Sequence, residues 1–107
     1  MARDTLGDFE HQVLLGILRL GGETYSVPLV EELEERTGRE IAQAAVFIAL
    51  RRLEDKGLLT SRERPARDGR RVRRYFKPTR LALKRLRETR RALMRLWEGL
   101  DERLGES

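Results

Sequence analysis

The chain has 107 residues, of which 39% are hydrophobic and 38% are charged, so it is long enough for one domain and too apolar for wholesale disorder. Because it contains no Cys and a single His, we expect no disulfide, no metal site, no cofactor and no enzymatic activity. It has no apolar stretch long enough to span a membrane, and residues 1–10 lack the apolar core of a signal peptide, so we expect a cytoplasmic protein.

The net charge of +5 is unevenly distributed along the chain. Residues 1–49 contain 4 Lys+Arg and 9 Asp+Glu, whereas residues 51–80 contain 12 basic and 4 acidic residues. This high density of basic residues predicts a surface that binds the phosphates of a nucleic acid. Arg outnumbers Lys by 20 to 3, which suits bidentate contacts with phosphate and guanine but equally fits the codon usage of a GC-rich genome.

The first amphipathic helix is predicted for about residues 8–20, with Asp8 as its N-cap and Gly21 just after its end. Apolar residues recur on one side at helical spacing, and that side is expected to face the core. The buried residues predicted for this helix are Phe9, Val13, Leu14, Ile17 and Leu18.

A second helix is predicted for about residues 26–36, with Ser26 as its N-cap and Gly38 in the left-handed conformation that closes a helix. Its buried side is predicted to consist of Val27, Val30 and Leu33. Its outer face is acidic because it carries Glu31, Glu32, Glu34 and Glu35.

A third helix is predicted for about residues 43–56, ending before Gly57. The apolar spacing assigns Val46, Ala49, Leu50 and Leu53 to its buried side. The other side is expected to face DNA, where Gln43 would read adenine and the two arginines would bind phosphates. The predicted DNA-binding residues of this helix are Gln43, Ala44, Phe47, Arg51 and Arg52.

Two short alternating runs, residues 58–64 and 71–77, predict a β-hairpin whose turn contains Asp68-Gly69. Tyr75 and Phe76 alternate, so one is expected to seal the hairpin onto the core and the other to face the last helix. The basic residues predicted to bind DNA here are Arg70, Arg71, Arg73 and Arg74, with odd and even numbers on opposite faces.

Three short helices followed by a basic two-stranded hairpin is the order of a winged helix-turn-helix domain, predicted for residues 6–78. The fold class is therefore mainly α with a small β-hairpin. In such a domain the third helix enters the major groove and the hairpin, called the wing, contacts the adjacent DNA backbone.

The last segment, residues 79–104, is predicted to form one long dimerisation helix of about 37 Å. Its apolar residues follow a heptad spacing broken once, at Arg90. Because this helix is longer than the preceding core can cover, we expect a homodimer; the alternative is a helix folded back on its own domain. The predicted dimer interface consists of Leu83, Leu86, Leu93, Trp97, Leu100 and Leu104.

The segment VFIALRRLEDKGLLTS resembles the third-helix signature of PadR-type winged helix-turn-helix transcriptional regulators. DGRRVRRYFKPT resembles the family's wing, and GDFEHQVLLGIL resembles its first helix. The resemblance covers about residues 6–104 and is nearest to the short subfamily with a single C-terminal helix. It implies a transcriptional regulator that binds double-stranded DNA sequence-specifically. In particular, it implies a repressor that binds a palindromic operator as a homodimer.

One departure from the family falls on the third helix. The family's Gly-Thr-Leu-Tyr corresponds here to Ala44, Ala45, Val46 and Phe47, so two hydroxyl groups at its groove-facing end are missing. By resemblance to a multidrug-binding member of the family, Trp97 would stack an aromatic small-molecule effector. The alternative for Trp97 is a plain aromatic residue in a dimer core.

Two other functions fit the same residues. A sequence-tolerant architectural DNA-binding protein is suggested by the Arg-rich wing and by the few polar residues of the third helix. A protein-interaction adaptor is suggested by the acidic second helix, which would then be its docking face.

Overall fold

The computed structural model describes residues 6–105, which form four α-helices and one two-stranded antiparallel sheet. This architecture confirms the predicted fold class, mainly α with a small β-hairpin. Within the described residues, no helix is long and apolar enough to cross a membrane. The elements in chain order are α1 (Asp8–Arg19), α2 (Ser26–Thr37), α3 (Gln43–Asp55), β1 (Leu59–Pro65), β2 (Val72–Pro78) and α4 (Arg80–Trp97), followed by a 3₁₀ turn, Glu102–Leu104.

The core lies where α1, α2 and α3 meet the base of the hairpin and the start of α4. The backbones of α1 and α2 approach closely at Gly16, where a Cβ would lie 2.8 Å from Cδ1 of Leu29. All four residues predicted for the buried side of α3 are buried. The largest fully buried side chains are Leu14, Ile17, Leu29, Leu50, Leu53, Leu58 and Leu59.

The first two helices begin at residues 8 and 26 as predicted, but the predicted N-caps were wrong by one residue, since Gly7 and Tyr25 are the N-caps rather than Asp8 and Ser26. Gly7 can take this position because its backbone N–H donates to the carboxylate of Glu10, 2.9 Å away, which satisfies an otherwise unpaired donor. Gly38, with φ of 71°, closes α2 as predicted.

Two residues predicted to be buried lie at the surface, because each falls at the edge of its helix's apolar stripe. Leu18 is 39% exposed and Val27 is 46% exposed. On α2 the core position is taken by Leu29, which is one helical turn before the buried Leu33.

The hairpin pairs seven positions, from Leu59 opposite Pro78 to Pro65 opposite Val72. A further backbone bridge, absent from our predictions, joins Thr24 to Phe76 through two hydrogen bonds of 3.2 and 2.8 Å. Phe76 is 3% exposed and seals the hairpin onto the core, as expected for one of the two aromatic residues. Tyr75 packs instead against Tyr25, ahead of α2, so its predicted contact with the last helix was wrong.

The segment 79–104 is not one continuous helix, so that prediction was wrong. Helix α4 ends at Trp97, because Glu98 has an extended ψ of 124° and Gly99 has φ of 79°, a conformation that glycine adopts without strain. Leu100 and Leu104 therefore lie beyond α4 and do not continue its row of apolar residues. Leu86, which the heptad spacing assigned to the dimer interface, is 8% exposed and packs mainly in the domain core.

Helix α4 is fixed to the domain at its first turn. The hydroxyl of Thr79 accepts from the backbone N–H of Ala82 at 3.2 Å and donates to the carbonyl of Gly57 at 2.8 Å. Ala82 is fully buried. The start of α4 is thus held against the junction of α3 and β1, while every residue from 90 to 100 is exposed.

The ion pair of Glu10 and Lys56 joins the start of α1 to the end of α3, with 2.7 Å between Lys56 Nζ and Glu10 Oε1. Burial alone would raise the pKa of Glu10, but hydrogen bonds from Lys56 and from the Gly7 N–H outweigh it, so the pKa lies below its ordinary 4.5. Because folding lowers its pKa, the Glu10 carboxyl group stabilises the folded protein at pH values above its ordinary pKa of 4.5. The stabilisation is lost as the pH falls through the folded-state pKa.

Replacing Glu10→Gln is therefore expected to lower the free energy of unfolding at neutral pH by about 1–3 kcal/mol, because the Lys56 ammonium loses its charged acceptor. The difference from the unmodified protein should shrink as the pH falls to about 3, where the carboxyl group is also neutral. Urea unfolding followed by circular dichroism measures both values, with the exposed Glu31→Gln as the control. A difference that is independent of pH would contradict this prediction.

Candidate nucleic-acid interface

The outer side of α3 exposes all five side chains that the sequence predicted for it, namely Gln43, Ala44, Phe47, Arg51 and Arg52. Phe47 is 46% exposed despite its size. Ile48, which is 53% exposed, belongs to the same surface and was missed. Helical spacing contained the signal, because Ile48 lies one turn after Ala44 and falls outside the buried set.

The end of the wing is formed by residues 66–71, which we call the wing tip. The N–H of Ala66 donates to the carbonyl of Arg71 at 2.7 Å, and the carboxylate of Asp68 accepts from the N–H of Arg70 at 3.0 Å. The side chains of Arg67, Arg70 and Arg71 are exposed and have no hydrogen bond or ion pair within residues 6–105. They are therefore free to bind phosphate.

Arg73 and Arg74, the other two arginines predicted for the wing, are engaged with their own chain. The guanidinium of Arg73 lies over the ring of Tyr25, 4.4 Å from its centroid. Arg74 donates to the hydroxyl of Ser61 at 3.0 Å and pairs with Glu63 at 3.3 Å. Arg73 ties the wing to the segment before α2 and Arg74 joins its two strands, whereas the tip arginines extend from it.

The base of the wing is further tied to the segment before α2. Arg62 donates two hydrogen bonds to Glu23, of 2.9 and 3.0 Å, and these bonds lower the pKa of Glu23 below its ordinary value. Arg64 lies 4.7 Å from the ring centroid of Tyr75, whose ring is 5.3 Å from that of Tyr25. We call this set the wing brace: Glu23, Tyr25, Arg62, Arg64, Arg73 and Tyr75.

The wing is also linked directly to α3. The hydroxyl of Ser61, which accepts from Arg74, donates in turn to the carboxylate of Glu54 on α3. Leu58 and Leu59 between α3 and the hairpin are buried, so the two elements share one rigid junction. The orientation of the wing relative to α3 is thereby set by the fold and not by a flexible linker.

An apolar groove of about 400 Å³ lies between α1 and α4. Leu15 and Leu18 of α1 are partly exposed there, and the predicted interface residues Leu83, Leu93 and Trp97 line its other side. His11 of α1 also lines the groove, a position that was not predicted from the sequence. The remaining lining residues are Leu86, Arg87, Arg90 and Met94.

Within residues 6–105, no group of three or more His, Asp or Glu side chains is placed to hold a metal ion. The two arrangements that the structure does provide are an exposed helix face beside a basic hairpin, and an apolar groove. The first is suited to a nucleic acid and the second to an apolar partner.

The model of the transcriptional regulator PadR-like family matches residues 14–89, which include α3, the whole wing and the first half of α4. The protein belongs to this family. This PadR-like regulator is therefore a winged-helix transcriptional regulator, and DNA is its partner.

Solved structures share the fold of this chain. A PadR family transcriptional regulator from Eggerthella lenta is 28% identical, with a TM-score of 0.67 over 88% of this chain and 84% of that one. A PadR-like transcriptional regulator from Bacillus cereus is 18% identical, with a TM-score of 0.75 over 92% and 93% of the two chains. The winged-helix DNA-binding protein F93 from STIV is 19% identical, with a TM-score of 0.65 over 83% and 90%. No curated protein matches the PadR-like regulator in sequence.

Proposed function

We propose that this PadR-like regulator is a cytoplasmic repressor that binds a palindromic operator as a homodimer. The observation that carries the proposal is the exposed side of α3 together with a wing whose three tip arginines have no partner within residues 6–105. In this arrangement α3 enters the major groove, and Arg67, Arg70 and Arg71 bind phosphates beside it. Binding at a promoter would exclude the transcription machinery.

The second copy of the chain would cover the apolar groove. Leu93 is 45% exposed, Met94 62% and Trp97 51%, and together they make a larger apolar surface than a helix in water normally presents. A twofold dimer places the same groove of each copy in one interface. It also places two α3 helices on one duplex, which is the reason for expecting a palindrome.

An aromatic small molecule that stacks on Trp97 at this interface would act as the effector. Trp97 is the only tryptophan of the chain, so its fluorescence reports on the groove alone. We expect a flat aromatic ligand to change Trp97 emission saturably and to release the operator at the same concentration. A Trp97→Leu variant should remain dimeric and need about tenfold more ligand for release, because it lacks the stacking surface. Release that is unchanged in this variant would contradict the role of Trp97.

The proposed function is tested by selecting bound fragments of genomic DNA with the purified protein at about 150 mM salt, where nonspecific binding is weak. A repressor should recover one palindrome and bind it about a thousandfold more tightly than bulk DNA. Recovery of DNA without enrichment would support the architectural function instead. Recovery of none would support the adaptor, with the acidic face of α2 as its docking surface.

A further inference from the structure

The exposed side of α3 is apolar over its first two turns. Phe47 and Ile48 are 46% and 53% exposed, and Ala44 and Ala45 beside them are also exposed. Large apolar side chains that are exposed next to one another mark a surface suited to a partner, because covering them removes apolar area from water. This surface, made of residues 44, 45, 47 and 48, is the apolar face of α3.

The apolar face has few groups that can form hydrogen bonds with base edges. Gln43 is the one amide of α3, and the next exposed hydrogen-bonding side chain is Arg51, about 12 Å further along the helix axis. A recognition helix normally contacts bases through its N-terminal residues. Guanine is usually read by Arg or Lys, and neither residue occurs between positions 43 and 50.

The charges around the apolar face identify what covers it. The first turn of α3 carries no acidic residue, and Arg51 and Arg52 follow in the next turns. The unpaired arginines of the wing tip lie at the end of the hairpin that follows α3. A second copy of this surface would bring like charges together, whereas the major groove of DNA offers phosphates on both sides and apolar methyl groups in its floor.

We infer that the apolar face of α3 reads A·T base pairs through the C5-methyl groups of thymine, which Phe47 and Ile48 contact in the major groove. Gln43 supports this reading because its amide matches the N6 and N7 edge of adenine. The inference rests on the proposed function, since it specifies how the operator is recognised. It makes Phe47 and Ile48 residues that determine specificity, and it predicts operator half-sites rich in A·T pairs.

Replacing thymine with deoxyuridine tests the inference, because an A·U pair differs from A·T only by the missing methyl group. The hydrogen-bonding groups in both grooves stay the same. In duplexes of the selected operator, thymines are replaced one at a time and the dissociation constant is measured by fluorescence anisotropy. Each contacted methyl should be worth about fourfold in affinity, which corresponds to about 0.8 kcal/mol.

Protein variants assign the effect to side chains. In Phe47→Ala and Ile48→Ala, uracil should no longer weaken binding at the position that the deleted side chain contacted. Both positions are exposed, so these variants should keep the circular dichroism spectrum and melting temperature of the original protein. Arg51→Ala is the matched control on the same helix, since loss of a phosphate contact should weaken the thymine and uracil duplexes equally.

The outcomes separate this inference from the proposed function. A specific operator whose affinity is unchanged by uracil at every position would overturn the inference and leave the repressor intact. A uracil effect that persists in both alanine variants would overturn the assignment to Phe47 and Ile48. Failure to find any preferred operator would overturn the sequence-specific function, and the inference with it.

Discussion

Replacing both Arg70 and Arg71 with alanine is expected to weaken operator binding on the order of a hundredfold or more at about 0.15 M salt. Both side chains are exposed at the wing tip, and neither has an ion pair or hydrogen bond within residues 6–105. Because they stabilise nothing in the free protein, their loss should act on DNA binding and not on folding. In a homodimer the double variant removes four phosphate contacts.

The salt dependence distinguishes this effect from a general loss of affinity. Each phosphate contact releases condensed counterions and contributes about 0.9 to the slope of log K against log salt concentration. The variant should therefore lower the slope by about 3 to 4. Anisotropy titrations at several salt concentrations give the slope directly.

The matched control removes the same charge elsewhere. Arg19 and Arg36 both bind Glu32 of α2, at 3.2 and 3.1 Å, and lie outside α3 and the wing. Alanine at both positions should leave the salt slope nearly unchanged. Equal losses in the two double variants would mean that net charge alone drives binding, and would contradict the role of the wing tip.

Replacing Leu93 with glutamate is expected to weaken dimerisation about a thousandfold, since a carboxylate buried in an apolar interface costs several kcal/mol. Leu93 is 45% exposed in the single chain and lines the apolar groove. The variant should therefore fold but sediment as a monomer of 12.5 kDa at concentrations where the original protein has twice that mass. Because a monomer engages one half-site only, its affinity for the full operator should fall by a similar factor.

Leu81→Glu is the control for this variant. Leu81 lies on the same helix with a comparable exposed fraction, 39%, but does not line the groove. It should stay dimeric. A Leu93→Glu variant that also stays dimeric would show that the two copies meet through another surface.

Local sequence patterns were sufficient for α3 and for the hairpin turn. The buried side of α3 follows from a helical period of 3.6 residues, and the same period exposes Phe47 and Arg51. Asp68 and Gly69 define the turn because their preferences are local. These features depend on neighbours a few residues apart, which a single sequence displays.

The end of α4 was also a local feature, but the heptad spacing obscured it. Leu100 and Leu104 fit the heptad spacing of the apolar residues, so the segment was predicted to be helical to its end. Gly99 carried the opposite signal, since glycine favours the left-handed conformation that terminates a helix. A backbone preference at one residue outweighed a pattern spread over several turns.

Contacts between distant segments could not be predicted. Strand alternation assigns Arg73 to one face of the wing. The Tyr25 ring that its guanidinium contacts on that face comes from the segment before α2, which is distant in sequence. The bridge from Thr24 to Phe76 and the groove shared by Leu15 and Trp97 depend in the same way on how elements pack. Sequence spacing gives the direction of a side chain but not its neighbour.

By itself, the sequence determined the order of the helices and the hairpin, the buried side of α3 and the basic character of the wing. Periodicity, turn chemistry and charge are properties of short segments, and they do not depend on how the rest of the chain packs. Only the tertiary structure decided which arginines are free to bind DNA. Arg73, which contacts the Tyr25 ring, and Arg70, which is exposed to solvent, are the same residue type, so their sequence alone does not distinguish them. The same packing decided that Leu86 is buried in the core while Leu93 and Trp97 stay exposed, because burial depends on which elements meet.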